Sequence, residues 1–370
     1  MTRVACAVIL ESFGKHEENS VTSLEATHTY REIHEQPAVI ERFLRTQRDV
    51  TERLSAEIRR RGITHVVISA RGTSDNAGRY ATYVVGGYNR LPVALATPSL
   101  HTVYGLPPRF DGALVLGISQ SGKSPDIISV LEEARSQGAL TASITNATSS
   151  PLADVSDFVI DVQAGDERAI AATKSYTSQV TAVALLSAVL AQDAARLAEL
   201  DRLPAAVQAT LAMNDEIAAI APRYRYMTAA VVIGRGYNYA TAFEMALKMK
   251  ELTYTIVEPY SSADFLHGPV AMVEEGFPVV VIAPSGRMAA EMADFVAHVR
   301  ALHGETIVIS DDENVLRGAR TPLRLPQPVP EWLSPITAIV PGQLFAMHLA
   351  NARDYAVDAP RGLKKVTETR

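Results

Sequence analysis

His65–Gly72 reads HVVISARG, and the same pattern returns at Ala229–Gly236 as AAVVIGRG. A second pair keeps the same offset: GALVLGISQSG at Gly112–Gly122 and GFPVVVIAPSG at Gly276–Gly286. Two matched blocks at one offset argue for two structurally equivalent modules. Each opening block carries a β-branched run, Val66–Ile68 and Val231–Ile233, that reads as a strand buried on both faces. A glycine-containing turn follows each run. Helical patterns come next, Ser74–Tyr88 and Asn238–Tyr254, with Ser74 and Asn238 as N-cap candidates.

The alternation continues in both halves. Leu114–Ile118 and Val279–Ala283 read as strands, each ending in a Ser-Gly turn before a helix, Pro125–Gln137 and Met288–Leu302. Further strands are expected at Leu140–Thr145 and Thr306–Ser310. Strands alternating with helices give an α/β fold with a parallel sheet covered by helices on both faces. Ligands of such sheets bind beyond the carboxyl ends of the strands, where the glycine turns lie. A helix over about Pro37–Arg61 should precede the first module. Ala191–Arg223 is Ala-rich and reads as a helical connector, with Pro204 as a break.

The composition fits this picture. The chain has 370 residues, enough for two domains. Hydrophobic residues make up 47% and charged residues 21%, and the formal net charge is -6. No concentrated basic face suggests nucleic acid or an anionic membrane as partner. A single cysteine, Cys6, permits no disulfide within the chain. No run of about 18 apolar residues appears, so no membrane span is expected. A cytoplasmic enzyme with a flexible N-terminal arm over 1–27 is the expectation.

Gly117–Ser124 reads GISQSGKS and fits G-x-x-x-x-G-K-[ST]. A nucleoside triphosphatase is therefore one reading, with Asp161 as the available Mg²⁺ ligand. The context favours another. Ser119, Ser121 and Ser124 with Gln120 make a loop of neutral donors, Pro125 removes a backbone N–H, and the repeat partner lacks the motif. Such a loop suits a monophosphate held at a helix N-terminus. A plain solvent-facing turn capped by serines is the third reading.

Six blocks then fall in order: GTS (Gly72–Ser74), SQSGKS (Ser119–Ser124), AGDERAIAATKSYTSQ (Ala164–Gln179), FEMALKMKELTY (Phe243–Tyr254), FLHGP (Phe265–Pro269) and DAPRGLKKVT (Asp358–Thr367). Together they resemble the tandem sugar-isomerase (SIS) domain family. The resemblance covers the isomerase half of glutamine–fructose-6-phosphate aminotransferases, and more closely the SIS-type glucosamine-6-phosphate deaminases. It implies two SIS domains, each a flavodoxin-like parallel sheet. Residues 28–195 would form the first, which binds the phosphosugar, and 196–222 the connector. Residues 223–355 would form the second, with the catalytic helix and His loop, and 356–370 a catalytic tail. It further implies a homodimer and no cofactor.

There are departures. Thr2 stands where a glutaminase would carry its cysteine, and the stretch before the matching region, which begins near His28, is too short for such a domain. Free ammonia is therefore the expected nitrogen species. The family usually has Glu where this chain has Lys123, which should add positive charge near the phosphate. The tail is one residue shorter between lysine and the Val-Thr pair, so Lys365 is aligned in preference to Lys364 by its distance from Arg361.

An aldose–ketose shift needs a base between C1 and C2, a ring-opening group and a partner for the carbonyl. Glu244, Lys248 and Glu251 share one helix face at i, i+4 and i+7, which is equally the pattern of a solvated salt-bridge stripe. The resemblance assigns the proton transfer to Glu251 and places Lys248 at the substrate. It assigns ring opening to His267, donated across the dimer interface, although a lone histidine is more often only packed or exposed. Lys365 matches the lysine that forms a Schiff base with the open-chain ketose. By the same resemblance Gly72, Thr73, Ser74, Ser119, Gln120, Ser121, Ser124, Glu167 and Ile170 bind the sugar phosphate. The remaining histidines lack HExxH spacing, and no metal is expected. The expected reaction is conversion of glucosamine 6-phosphate to fructose 6-phosphate and ammonia. Another phosphosugar isomerase or a fructosamine-type deglycase is the neighbouring alternative, and a non-catalytic sugar-phosphate sensor the alternative of another class.

Overall fold

The computed structural model describes residues 23–365. Cys6, most of the 1–27 arm and the end of the 356–370 tail lie outside the described residues. Among the described residues ten strands form two sheets. In chain order they are β1 (His65–Ala70), β2 (Val93–Leu95), β3 (Ala113–Ser119), β4 (Leu140–Thr145), β5 (Phe158–Asp161), β6 (Ala229–Gly234), β7 (Ile256–Ser261), β8 (Pro278–Ile282), β9 (Glu305–Ser310) and β10 (Thr321–Arg324). The first sheet runs β2-β1-β3-β4-β5 and the second β7-β6-β8-β9-β10. All neighbours are parallel. Both therefore follow the 2-1-3-4-5 order of flavodoxin-like folds. β1 opens at His65 and β6 at Ala229, which is the offset of the sequence repeat.

Helices cover both faces, so the central strands contain apolar runs without alternation. All seven residues of β3 and all five of β8 are buried. Each module ends in a long buried helix, Lys174–Leu190 and Ser334–Ala352. The stretch Glu331–Ala352 is long and apolar enough to cross a membrane, which counting unbroken apolar runs does not reveal. It is a core helix here, 94% buried. Its polar groups are matched inside the protein: Gln343 accepts from Gln36 at 2.9 Å, and His348 Nε2 meets Asn214 Oδ1 at 2.9 Å. Gly342 lets this helix press against Tyr239–Thr253, because a Cβ there would stand 3.0 Å from Met245 Cγ.

Four sequence expectations change. The helix expected over Pro37–Arg61 is two helices, Gln36–Thr46 and Arg48–Arg61. The break falls at Gln47, whose Oε1 accepts from the Asp161 backbone N–H at the end of β5. Ser74 is not an N-cap: the helix starts at Thr73 after Gly72, which has φ 53°, and the Ser74 hydroxyl accepts from Gln179. Asn238 does precede its helix but donates to Ser334 Oγ instead of capping. Pro204 does not interrupt the connector but sits in the first turn of the helix Leu203–Leu211, where its missing N–H costs nothing.

Candidate active site

At the carboxyl edge of the first sheet the chain leaves β3 at Ser119, turns through Gln120–Ser124 and enters the helix Pro125–Ser136. Gly122 makes the turn possible. Its φ is 62°, and a Cβ would stand 2.0 Å from Ser150 Oγ. Two loop hydroxyls accept backbone N–H groups: Ser119 Oγ from Gly122 at 3.1 Å, and Ser121 Oγ from Lys123 at 3.4 Å. A hydroxyl that accepts in this way still has its own proton to donate. The loop is thus arranged to offer O–H donors at a helix N-terminus, a good setting for an anion.

A cleft of about 310 Å³ opens over this loop. Ten of the residues named from sequence line it: Gly72, Thr73, Ser74, Ser119, Gln120, Ser121, Ser124, Ile170, Glu251 and Lys365. The first module, the second-module helix and the C-terminal tail all contribute.

Glu251 comes from the helix Tyr239–Thr253, and its carboxylate is held from behind by Lys248 Nζ at 2.5 Å. Lys248 is not a cleft residue. It is 1% exposed, lying between Glu251, Glu244 (3.6 Å) and Thr73 Oγ1 (3.2 Å). The resemblance implies a place at the substrate and the charge spacing alone fits a solvated stripe, but the stripe faces the first module. Burial alone would lower the Lys248 pKa; Glu251 and Glu244 outweigh it and raise it. Lys248 is therefore a fixed ammonium that orients Glu251. Glu244 is wholly buried and accepts from Thr73 at 3.1 Å and Asn76 at 2.8 Å. Burial pushes its pKa up to about 7, against the opposing pull of Lys248 and Asn76.

Lys365 reaches the cleft because the tail is tied down upstream. Asp358 accepts from the backbone N–H groups of His28 and Thr29, both at 2.8 Å. The Arg361 N–H donates to Tyr254 Oη, and its guanidinium lies 4.1 Å over that ring. Lys365 Nζ donates to Glu167 Oε2 at 2.9 Å and to the Ala169 carbonyl at 2.7 Å. Glu167 thus lies beneath the lysine and not on the cleft wall. Burial would raise its pKa, but Lys365 and the N–H groups of Ser175 and Thr173 overcome this and hold it below the usual range.

His267 is not brought to the cleft. It is exposed on the second module, just past the short helix Ser262–Leu266. Lys123 is exposed and does not line the cleft either, so it adds no charge at the loop's inner face. Asp161 lies at the end of an edge strand and accepts from its neighbour Gln163. Among the described residues no group of three His, Cys, Asp or Glu side chains is arranged to hold a metal. Sequence reasoning passed over Arg71, Ser175 and Leu363, which line the cleft, and weighed Lys364, which also lines it, only as an alternative to Lys365. Arg71 had a usable signal: it recurs at the repeat spacing as Arg235, again directly after a strand.

The SIS domain family profile matches residues 60–189 and 228–353. The glutamine–fructose-6-phosphate aminotransferase [isomerizing] of Pyrococcus horikoshii is 35% identical over 306 residues, 81% of this chain and 51% of the relative. The chain spans about half the length of the curated relatives it matches. The C-terminal domain of glucosamine-fructose-6-phosphate aminotransferase from Francisella tularensis superposes with a TM-score of 0.81 at 27% identity, covering 90% of this chain and 98% of that one. The glucosamine-6-phosphate deaminase of Thermotoga maritima shares the fold, with a TM-score of 0.73 at 20% identity, over 93% and 100% of the two chains.

Proposed function

The chain belongs to the SIS domain family, and from that premise we propose that it is a phosphosugar aldose–ketose isomerase acting on an amino sugar, releasing ammonia from glucosamine 6-phosphate to give fructose 6-phosphate. One observation carries the reading. A carboxylate oriented by a buried ammonium and a lysine seated on a buried carboxylate share one cleft with a hydroxyl-lined anion loop. The likeness to isomerizing aminotransferases over most of this chain supports the same substrate class.

In this reading the loop Ser119–Ser124 holds the phosphate and leaves C1 and C2 of the open-chain sugar near Glu251. Glu251 removes the proton on C2 and returns it to C1, while a proton passes from the amine to O1. The product is a 2-imino ketose. Water adds at C2 and ammonia leaves, giving fructose 6-phosphate. Lys365, once deprotonated, can hold C2 of the open-chain ketose as a Schiff base. Ring opening falls to His267 of a second copy, since its own cleft lacks it.

The test is ammonia release from glucosamine 6-phosphate, with galactosamine 6-phosphate and the reverse mixture of fructose 6-phosphate and ammonia alongside. Release from glucosamine 6-phosphate is expected; no release from any of them would overturn the reading. Sharing of the site is tested by mixing Glu251→Gln and His267→Ala chains. Random mixed dimers should recover about a quarter of wild-type activity, because half the dimers then hold one intact site. No recovery would place His267 outside the site.

A further inference from the structure

Arg71 follows β1 directly. β1 pairs with β3, and Ala70 stands opposite Ile118, so Arg71 emerges beside Ser119 at the start of the hydroxyl loop. Its Nε donates to Asp126 Oδ2 at 2.7 Å. Asp126 is 1% exposed and sits in the first turn of the helix that the loop opens. The Arg71 side chain itself is 52% exposed and lines the cleft. Among the described residues its two Nη groups make no hydrogen bond, so the outer edge of the guanidinium fork faces ligand space.

Of the other charged groups lining the cleft, Lys364 comes from the C-terminal tail, and two more are engaged. Glu251 is held by Lys248, and Lys365 by Glu167 and the Ala169 carbonyl. The loop itself contributes only neutral donors. A phosphate monoester carries close to two negative charges at neutral pH, and a guanidinium fork matches its oxygens better than a point charge does.

The second module provides a natural comparison. Arg235 occupies the repeat position of Arg71 and also faces a carboxylate, Glu291, at 3.6 Å. There the corresponding loop is already satisfied: the Ser285 N–H and hydroxyl both donate to Asp311, at 2.7 and 2.5 Å. Glu331 fills the space over Gly286, where a Cβ would stand 2.5 Å from its Cδ. The arginine recurs, but only in the first module does it stand beside an open loop.

We propose that Arg71 is the specificity-determining cation for the substrate's phosphate dianion, aimed by Asp126 so that its Nη edge closes on the group held by Ser119–Ser124. This rests on the phosphosugar reading above. The test uses the full chain and titrates fructose 6-phosphate, fructose and inorganic phosphate by calorimetry. Arg71→Gln removes the guanidinium partner of the buried Asp126 carboxylate, which keeps the Ile127 N–H, so Arg71→Gln/Asp126→Asn is measured in parallel, with Arg71→Lys and Arg235→Gln.

Both glutamine-bearing Arg71 variants should bind fructose 6-phosphate and phosphate on the order of 10- to 100-fold more weakly, with kcat changed far less than KM. Arg71→Lys should recover only part of the loss, and Arg235→Gln should behave as wild type. Glutamine variants that bind fructose 6-phosphate within about twofold of wild type would overturn the assignment of Arg71 alone. A wild-type chain that binds no hexose phosphate would overturn the phosphosugar reading and this proposal with it.

Discussion

The two modules share a strand order and a loop position but differ in what fills the loop. After β3 the turn Gln120–Ser124 is open and its hydroxyls border a cleft. After β8 the turn at Ser285 and Gly286 is closed by the chain's own carboxylates, Asp311 and Glu331. An anion site at a sheet edge can thus be retired by supplying an internal anion, with no change of backbone plan. The module that closed its loop contributes the helix bearing Glu251. In the proposed reading the duplication separates holding the ligand from acting on it, and disturbing one half should leave the other's role intact.

The sharpest test of that separation is Glu251→Gln. It should lower kcat about 10³-fold, within the range for loss of a general acid–base group, and leave KM nearly unchanged. A large rise in KM with kcat preserved would mean that the second module also holds the ligand.

The next test uses two buried carboxylates shifted in opposite directions. Glu244 has a folded pKa near 7, raised by burial from 4.5. Its contribution to stability is full below about pH 4.5 and is lost as pH rises through about 7. Glu167 is held below its ordinary pKa despite burial, so its contribution is present above about pH 4.5 and is lost as pH falls through the depressed value. Denaturant-derived stabilities of Glu244→Gln should lack the decline expected of wild type between about pH 4.5 and 7, a difference of at most a few kcal/mol. Unchanged slopes in that variant would remove Glu244 as the cause.

Two serines at the same repeat position give smaller, contrasting effects. Ser121→Ala should raise KM about tenfold, the equivalent of one hydrogen bond to a charged group, with little loss of stability. Asp311→Asn should cost about 1 kcal/mol of stability by weakening the bonds from Ser285, and leave KM alone. If Asp311→Asn changed KM, the second loop would not be closed to ligand.

Much of this architecture was legible in the sequence because the buried central strands repeat as β-branched runs at one spacing. The edge strands were harder. β7 and β10 carry Pro259 and Pro322, which edge positions tolerate but which mask a strand pattern, and β2 has only three residues. The hydroxyl loop is legible from its local pattern after β3, whereas the spacing of Glu244, Lys248 and Glu251 also fits a solvated stripe, and only the resemblance singles out Glu251. Whether a charge on a helix faces solvent or another module depends on contacts between distant parts of the chain, as with Lys248 and Thr73. That is why helix spacing alone does not tell that Lys248 stands behind Glu251 rather than at the substrate, as the resemblance implies, or that Arg71 enters the cleft. The position of His267 relative to a cleft is likewise not a local property.

The pairing of Glu244 with Thr73 and Asn76 also constrains motion. Clefts between modules often close by a hinge, in which the halves rotate as rigid bodies. Here a rotation would pull Glu244 from Thr73 and Asn76, and Lys248 from Thr73, while Lys248 keeps Glu244 and Glu251 on its own helix; each hydrogen bond to a charged group lost this way costs about 1.5–3 kcal/mol. In the proposed reading the segment 358–365 is a second element whose movement would open the cleft: it is tied at Asp358 and Arg361 and rests its last described lysine on Glu167. How often that short strap lifts would then bear on how fast product escapes.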